Sequence, residues 1–153
     1  MERRQHETSP LEIDQVAIVV RDMEKAIKQL CSLWNVGPFQ IREMDLPDAM
    51  VRGKQTRVRA KLALAQAGPV ELELIEPGEG ENIYREFLRA KGEGVHHLGV
   101  YVSDIESELT RFKKRGIEVL QSGDTRQHSF AYMDTEGVAG VILELLQRKQ
   151  SPA

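Results

Sequence analysis

Apolar and polar positions follow two different periods in succession, and this order occurs twice along the chain. Residues 13–30 begin with a Val- and Ile-rich run typical of a partly buried strand, and continue with apolar residues at helical spacing. Residues 95–112 repeat the order, and an offset of 82 places Gln15 on His97. The pattern predicts two copies of a strand followed by a helix, and with them a pseudo-symmetric fold.

Further strands are predicted after each copy. Residues 56–65 alternate polar and apolar positions. Residues 70–76 and 141–147 align with one another, so that Glu73 corresponds to Glu144. We therefore expect an α+β protein with this organisation: an N-terminal tail at 1–10, a first βαβββ module at 11–78, a linker helix at 79–94, a second βαβββ module at 95–148 and a C-terminal tail at 149–153.

Two aspartates stand where the helices of the repeats should begin. Asp22 and Asp104 can each accept a hydrogen bond from the free N–H groups of a first helical turn. We therefore interpret them as helix caps and not as catalytic groups.

Composition restricts the classes of partner and compartment. The 153 residues include 21 basic and 24 acidic side chains, and the basic ones are scattered, which argues against a nucleic-acid partner. No apolar run of 18 residues exists, so no membrane span is predicted. Cys31 is the single cysteine, which excludes an intramolecular disulfide and suits the cytoplasm. We expect Cys31 to be a small buried side chain.

Polar residues on the outer strands of each half are the candidate functional residues. The candidates are Gln15 with Glu73 in the first half, and His97 with Glu144 in the second. By alternation, the small residues Ala17 and Gly99 share the faces of Gln15 and His97, and leave room for something other than side chains. The sequence thus predicts a cavity beside these polar groups.

Each candidate also has an ordinary structural interpretation. A histidine on a strand is commonly a hydrogen-bonded core group, and alternation places His96 on the opposite face from His97. Glu144 stands among leucines, where an unpaired carboxylate would be costly, and this favours a metal or strong hydrogen bonds. Glu71 has the same parity as Glu73, so the choice between them stays open.

Four segments, in this order, resemble the vicinal oxygen chelate superfamily, and among its members methylmalonyl-CoA epimerases most closely. They are IDQVAIVVRDMEKAI, VELELIEP, GEGVHHLGVYVSDIE and GVILELLQ, within residues 11–147. The resemblance implies that the two βαβββ modules curl into a half-open barrel around a divalent metal ion. It places the metal ligands at Gln15, Glu73, His97 and Glu144.

Gln15 departs from the family pattern, which usually has histidine at that position. An amide oxygen is a weaker, neutral ligand, and the resulting set suits Co, Mn, Ni or Mg at least as well as Zn. Alternatively, Gln15 does not bind and the site has three ligands.

The resemblance also implies a reaction, the removal and return of the α proton of an acyl-CoA thioester such as methylmalonyl-CoA. Glu144 matches one of the two catalytic glutamates of the epimerases, and Lys61 stands about where the second is expected. Lys61 shares its strand face with Arg57 and Arg59. Three interpretations of that face stay open. It is a solvated sheet edge, or it provides Lys61 as the second base. Alternatively, it is a basic stripe that holds an anionic substrate in a reaction with one base.

Two other functions are compatible with the same pattern. One is a glyoxalase-I-like lyase or isomerase, and the other is a non-catalytic small-molecule-binding module of the same fold. An extradiol dioxygenase is disfavoured, because its two-histidine triad would need a histidine where Gln15 stands. The expected partners are an acyl-CoA or related anionic substrate and, as is common in the family, a second copy of the chain in a homodimer.

Overall fold

The computed structural model describes residues 10–151, so most of the predicted N-terminal tail and the last two residues of the C-terminal tail lie outside the described residues. This part of the chain contains eight strands and four helices. The first half contains β1 (Gln15–Val19), α1 (Met23–Trp34), β2 (Gln40–Val51), β3 (Lys54–Ala67) and β4 (Val70–Pro77). The second contains α2 (Ile83–Lys91), β5 (Gly94–Tyr101), α3 (Ile105–Lys113), β6 (Val119–Asp124), β7 (His128–Met133), α4 (Glu136–Ala139) and β8 (Ile142–Arg148).

The eight strands form one barrel in the order β1-β4-β3-β2-β6-β7-β8-β5. In each half the first strand is parallel to the last, β1 to β4 and β5 to β8, and β1 and β5 join the halves in antiparallel pairing. The α+β prediction with two barrel-forming modules is therefore confirmed. The barrel is closed and not half-open, although β2 and β6 close it through only two residue pairs, Met50 with Ser122 and Val51 with Gln121.

Helices α1 and α3 cover the outer surfaces of the two halves. Met23 of α1 packs with Ala63 and Leu74, and Phe112 of α3 packs with Met133 and Leu145. All of these side chains are buried, and the four on the strands point away from the barrel interior because strand residues alternate between the two faces. The remaining strand face is therefore free to line an interior.

Helix α2 closes one end of that interior. Its Ile83 and Tyr84 are buried in one cluster with Val19, Val58 and Ile75 from the strands. The helix begins at the cap Asn82, whose Oδ1 accepts a hydrogen bond from Arg85 N at 2.9 Å. The apolar core thus fills the α2 end of the barrel.

The two predicted aspartate caps are confirmed. Asp22 Oδ1 accepts from Lys25 N at 3.0 Å, and Asp104 Oδ1 accepts from Ser107 N at 3.2 Å. Both carboxylates satisfy N–H groups that have no partner inside the helix.

Two further sequence expectations concern the surface of the described residues. Cys31 is exposed, so the expectation of a buried side chain is wrong; α1 turns this position away from the sheet. Within residues 10–151, no helix is both long enough and apolar enough to cross a membrane.

We predict that Asp104→Ala lowers the free energy of unfolding by about 1 kcal/mol, because the first turn of α3 loses its side-chain cap. Urea titration of the two proteins measures the change. Glu118→Gln, an exposed substitution before β6, is the control and should change the free energy by less than about 0.5 kcal/mol. Equal stability of Asp104→Ala and the parent chain would contradict the assignment of the cap.

Candidate metal centre

Four strands each contribute one polar side chain to a buried cluster in the barrel interior. They are Gln15 on β1, Glu73 on β4, His97 on β5 and Glu144 on β8. Gln15 and Glu73 are each 7% exposed, Glu144 is 5% exposed and His97 is fully buried. The structure thus brings together all four residues that the sequence nominated as metal ligands.

Strand register explains the convergence. Ala17 is the cross-strand neighbour of both Glu73 and His97, and Gly99 is the neighbour of both Gln15 and Glu144. Two of the smallest residues therefore stand at the centre of the four candidate ligands. Larger side chains at these two positions would occupy the space that the polar groups share.

The His97 Nε2 atom is the meeting point of the cluster. It lies 2.9 Å from Glu144 Oε2, 3.4 Å from Glu73 Oε2 and 3.3 Å from Gln15 Oε1. Ligand atoms at about 2.1 Å from one ion are separated by about 3.0–3.4 Å in octahedral or tetrahedral geometry. The ligand atoms of Glu73, His97 and Glu144 all lie within 4.8 Å of one another, so this donor set fits a single divalent ion.

Gln15 is oriented by a neighbour that sequence analysis left undecided. Its Nε2 donates to Glu71 Oε1 at 2.9 Å, and this turns its Oε1 towards His97. Glu71 therefore lies next to the cluster, joined to it by the hydrogen bond from Gln15, whereas Glu73 lies in the cluster itself.

Burial and charge act in opposite directions on the cluster. Burial lowers the pKa of His97, but Glu144 and Glu73 outweigh it and raise the pKa to about 9. Burial also raises the pKa of Glu73, against the opposing effect of His97. Two carboxylates in a dry interior need a positive partner, and His97 supplies it in the absence of an ion.

His96 contacts the cluster, although alternation predicted that it lies on the opposite face of β5. Its Nδ1 lies 2.9 Å from His97 Nδ1, and its ring is buried. The β1–β5 register passes from His97 to Val95, which leaves His96 as the extra residue of a bulge and rotates it towards its neighbour. Burial and the His97 charge lower the pKa of His96 to about 3, so the neutral ring can accept a hydrogen bond from His97 Nδ1 and leave Nε2 as the ligand atom.

Lys61 is the one predicted site residue that the structure does not bring to the cluster. Its neighbours Ala60 and Leu62 face the barrel interior, whereas Ala63, which has the same parity as Lys61, packs beneath α1. Lys61 therefore points outward, between Glu43 and Glu76 in the strand register. The assignment of Lys61 as a second base is therefore corrected, because its side chain lies on the outer face of β3. The sequence did not reveal this, since the face of a strand residue depends on the strand register.

Comparison with known proteins shows the family to which the chain belongs. A profile of the glyoxalase/bleomycin resistance protein/dioxygenase superfamily matches residues 14–132. This range includes three of the four candidate ligands and ends before Glu144 on β8.

Individual relatives are more distant. The uncharacterized protein YqjC of Bacillus subtilis (strain 168) is 27% identical over 94 residues, which cover 60% of this chain and 67% of YqjC. The hypothetical protein BH1468 from Bacillus halodurans C-125 has a TM-score of 0.71 at 22% identity, covering 95% of this chain and 99% of its own. Methylmalonyl-CoA epimerase from Mycobacterium tuberculosis has a TM-score of 0.65 at 18% identity, covering 95% of each chain. These two structural similarities show a shared fold.

We predict that the affinity of the metal-free protein for Mn²⁺ rises by roughly eight- to tenfold per pH unit between pH 6.5 and 8.5, the slope expected for the loss of one proton. The raised pKa of His97, about 9, means that binding must displace its Nε2 proton throughout this range. Competition against a fluorescent chelator measures the affinity. His97→Asn should bind weakly and lose most of the slope, and a pH-independent affinity of the parent chain would contradict the assignment.

We further predict that Gly99→Ala weakens Mn²⁺ binding more than tenfold. A Cβ atom at this position would lie 3.0 Å from Gln15 Oε1 and 3.4 Å from Glu144 Oε2, and would displace ligand atoms. Gly137→Ala is the matched control, because a Cβ there meets nothing within 4 Å. Equal affinity of the two variants would exclude a metal site at this position.

Proposed function

Because the chain belongs to the glyoxalase/bleomycin resistance protein/dioxygenase superfamily, we propose that it is a metal-dependent isomerase. It moves the α proton of an acyl-CoA thioester, such as methylmalonyl-CoA. The observation that carries the proposal is the buried convergence of Gln15, Glu73, His97 and Glu144 on one point. The fold shared with a methylmalonyl-CoA epimerase supports the substrate class.

The chemistry needs stabilised negative charge, because an α hydrogen of a thioester is too weakly acidic for an unaided carboxylate. A divalent ion held by the four residues would act as a Lewis acid on the thioester oxygen and would orient the substrate. The side chains themselves exclude water from the site, since none of the four is more than 7% exposed. In such an environment electrostatic stabilisation is stronger than in water.

Glu144 is the proposed base on the second half of the barrel. Its Oε2 already lies 2.9 Å from His97 Nε2, which fixes the carboxylate at the centre of the site. A positioned base of this kind contributes typically 10²–10⁴-fold to a proton transfer.

With Lys61 on the outer face, a second proton-handling group must come from the inner face of the first half. We assign this role to Glu71, which is half-buried and lines a cavity with Arg42 and Leu64. Its hydrogen bond from Gln15 keeps it beside the cluster. Glu71 and Glu144 stand on different halves of the barrel, which would allow them to approach one carbon from two faces.

We predict that the Mn²⁺- or Co²⁺-loaded protein exchanges the α proton of methylmalonyl-CoA with D₂O, and that metal removal abolishes the exchange. Glu144→Gln should reduce the rate at least 10²-fold, because it removes the base. Glu71→Gln should retain exchange on one epimer but lose interconversion of the two. Lys61→Met is the control and should keep the rate within twofold, and NMR with chiral product analysis follows all four proteins.

The outcomes separate the candidate functions. Metal binding without exchange on methylmalonyl-CoA would favour the glyoxalase-I-like reaction if a glutathione adduct is turned over. It would favour the non-catalytic binding module if no such substrate is turned over. Loss of activity in Lys61→Met equal to that in Glu144→Gln would contradict the site as assigned.

The homodimer and the cytoplasmic location stay predictions. In support of self-association, three large apolar side chains at the end of α1 and the start of β2 are exposed: Leu33 at 77%, Trp34 at 61% and Ile41 at 54%. Light scattering of the purified chain measures the oligomeric state.

A further inference from the structure

The end of the barrel opposite α2 carries cationic side chains on its inner faces. Arg148 continues the inward face of β8 that holds Glu144 and Leu146, and Arg42 continues the inward face of β2 that holds Met44. His128 lies on the same face of β7 as the buried Phe130. We call this set of Arg42, Arg148 and His128, together with Tyr101 of β5, the cationic mouth.

The two arginines of the cationic mouth differ from most others in the described chain. Within residues 10–151, the guanidinium groups of Arg52, Arg57 and Arg111 pair with carboxylates at 2.6–2.7 Å. Over the same range, neither Arg42 nor Arg148 forms an ion pair with a carboxylate; Arg42 donates only a long hydrogen bond to Gln40 Oε1 at 3.4 Å. Both are exposed, so their donors remain available to a ligand.

Arg148 is nevertheless held in place. Its Cζ lies 3.7 Å from the centre of the Tyr101 ring, so the guanidinium is stacked on an aromatic face. The Tyr101 hydroxyl lies 3.4 Å from His128 Nε2, and Tyr101 N donates to Asp14 Oδ2 at 2.8 Å. A stacked guanidinium keeps its edge N–H groups free, which is the geometry that binds carboxylate or phosphate.

The two arginines also affect the pKa of His128. Burial lowers the pKa of His128, and the charges of Arg148 and Arg42 lower it further, although Glu144 and Glu71 oppose them. Both arginines are therefore close enough to His128 to affect its charge state. A neutral His128 then serves Tyr101 and not the ligand.

The distance to the candidate metal centre is set by the strands. Arg148 is four residues beyond Glu144 on β8, about 13 Å at 3.3 Å per residue. Arg42 lines a cavity of about 220 Å³ with Glu71, which is two residues from Glu73 on β4, about 7 Å. The backbone positions that define the mouth thus lie roughly 7–13 Å along the strands from those of the cluster.

We propose that Arg42 and Arg148 bind a second anionic group of the substrate, a carboxylate or a phosphate, while the reacting end lies at the cluster of Gln15, Glu73, His97 and Glu144. Tyr101 and His128 are positioning residues for Arg148. The inference rests on the proposed function, since it assumes that the substrate occupies the metal centre. It adds that Arg42 and Arg148 are the residues that recognise the distal anion of that substrate.

Calorimetric titration of Mn²⁺-loaded and metal-free protein with adipate, coenzyme A and inorganic phosphate tests the proposal. At least one probe should bind the parent chain, and its affinity should fall roughly 10–100-fold in Arg148→Gln and in Arg42→Gln. Arg89→Gln is the matched control, because this arginine is exposed on α2 and pairs with Glu81. Both mouth variants should keep the parent Mn²⁺ affinity within twofold, which shows that they fold.

The probes distinguish the source of the anion. Mn²⁺-dependent binding of adipate would indicate a second carboxylate, and Mn²⁺-independent binding of coenzyme A or phosphate would indicate a phosphate group. Failure of every probe to bind, or equal losses in Arg148→Gln and Arg89→Gln, would overturn the inference. A parent chain that binds coenzyme A through Arg148 but binds no Mn²⁺ would overturn the proposed function and leave the cationic mouth in place.

Discussion

The burial of two carboxylates and an imidazole at one point is the constraint on which the rest of the structure depends. Glu73 and Glu144 lie within 3.4 Å and 2.9 Å of His97 Nε2, and all three are at least nine-tenths buried. Such charges are costly in a protein interior unless each is paired and hydrogen-bonded. Removing one partner leaves the buried charge of the others uncompensated. Such a cluster contributes little to stability by itself, but it is well suited to bind an ion.

The barrel topology makes this arrangement possible through two small residues. Because β1 and β5 are antiparallel and each is parallel to the last strand of its own half, Ala17 and Gly99 are each the shared neighbour of two of the four candidate ligands. The two copies of the duplicated unit therefore each contribute two residues to a single cluster. The apolar packing beneath α1 and α3 lies on the opposite strand faces and leaves the interior to the polar groups.

The two ends of the interior have different physical characters. Helix α2 closes one end with Ile83 and Tyr84, where the Tyr84 and Tyr132 hydroxyls share a buried hydrogen bond of 2.8 Å. The other end carries Arg148 and Arg42 without carboxylate partners in the described chain. A ligand would therefore approach the acidic cluster from the cationic side, where opposite charge favours an anion.

Much of this protein was determined by local sequence pattern. Alternation along the strands and the duplicated unit predicted the α+β fold and the inward positions of Gln15, His97 and Glu144, because side-chain direction has a period of two and both copies obey it. The choice of Glu73 over Glu71 needed the structure, since the two share one strand face. The caps Asp22 and Asp104 were equally local, since a helix terminus needs an acceptor within a few residues. Tertiary structure alone decided the rest. Strand register turned Lys61 outward, a bulge turned His96 towards His97, and pairing between distant strands set Arg148 on Tyr101, because these contacts depend on how strands far apart in the chain are aligned.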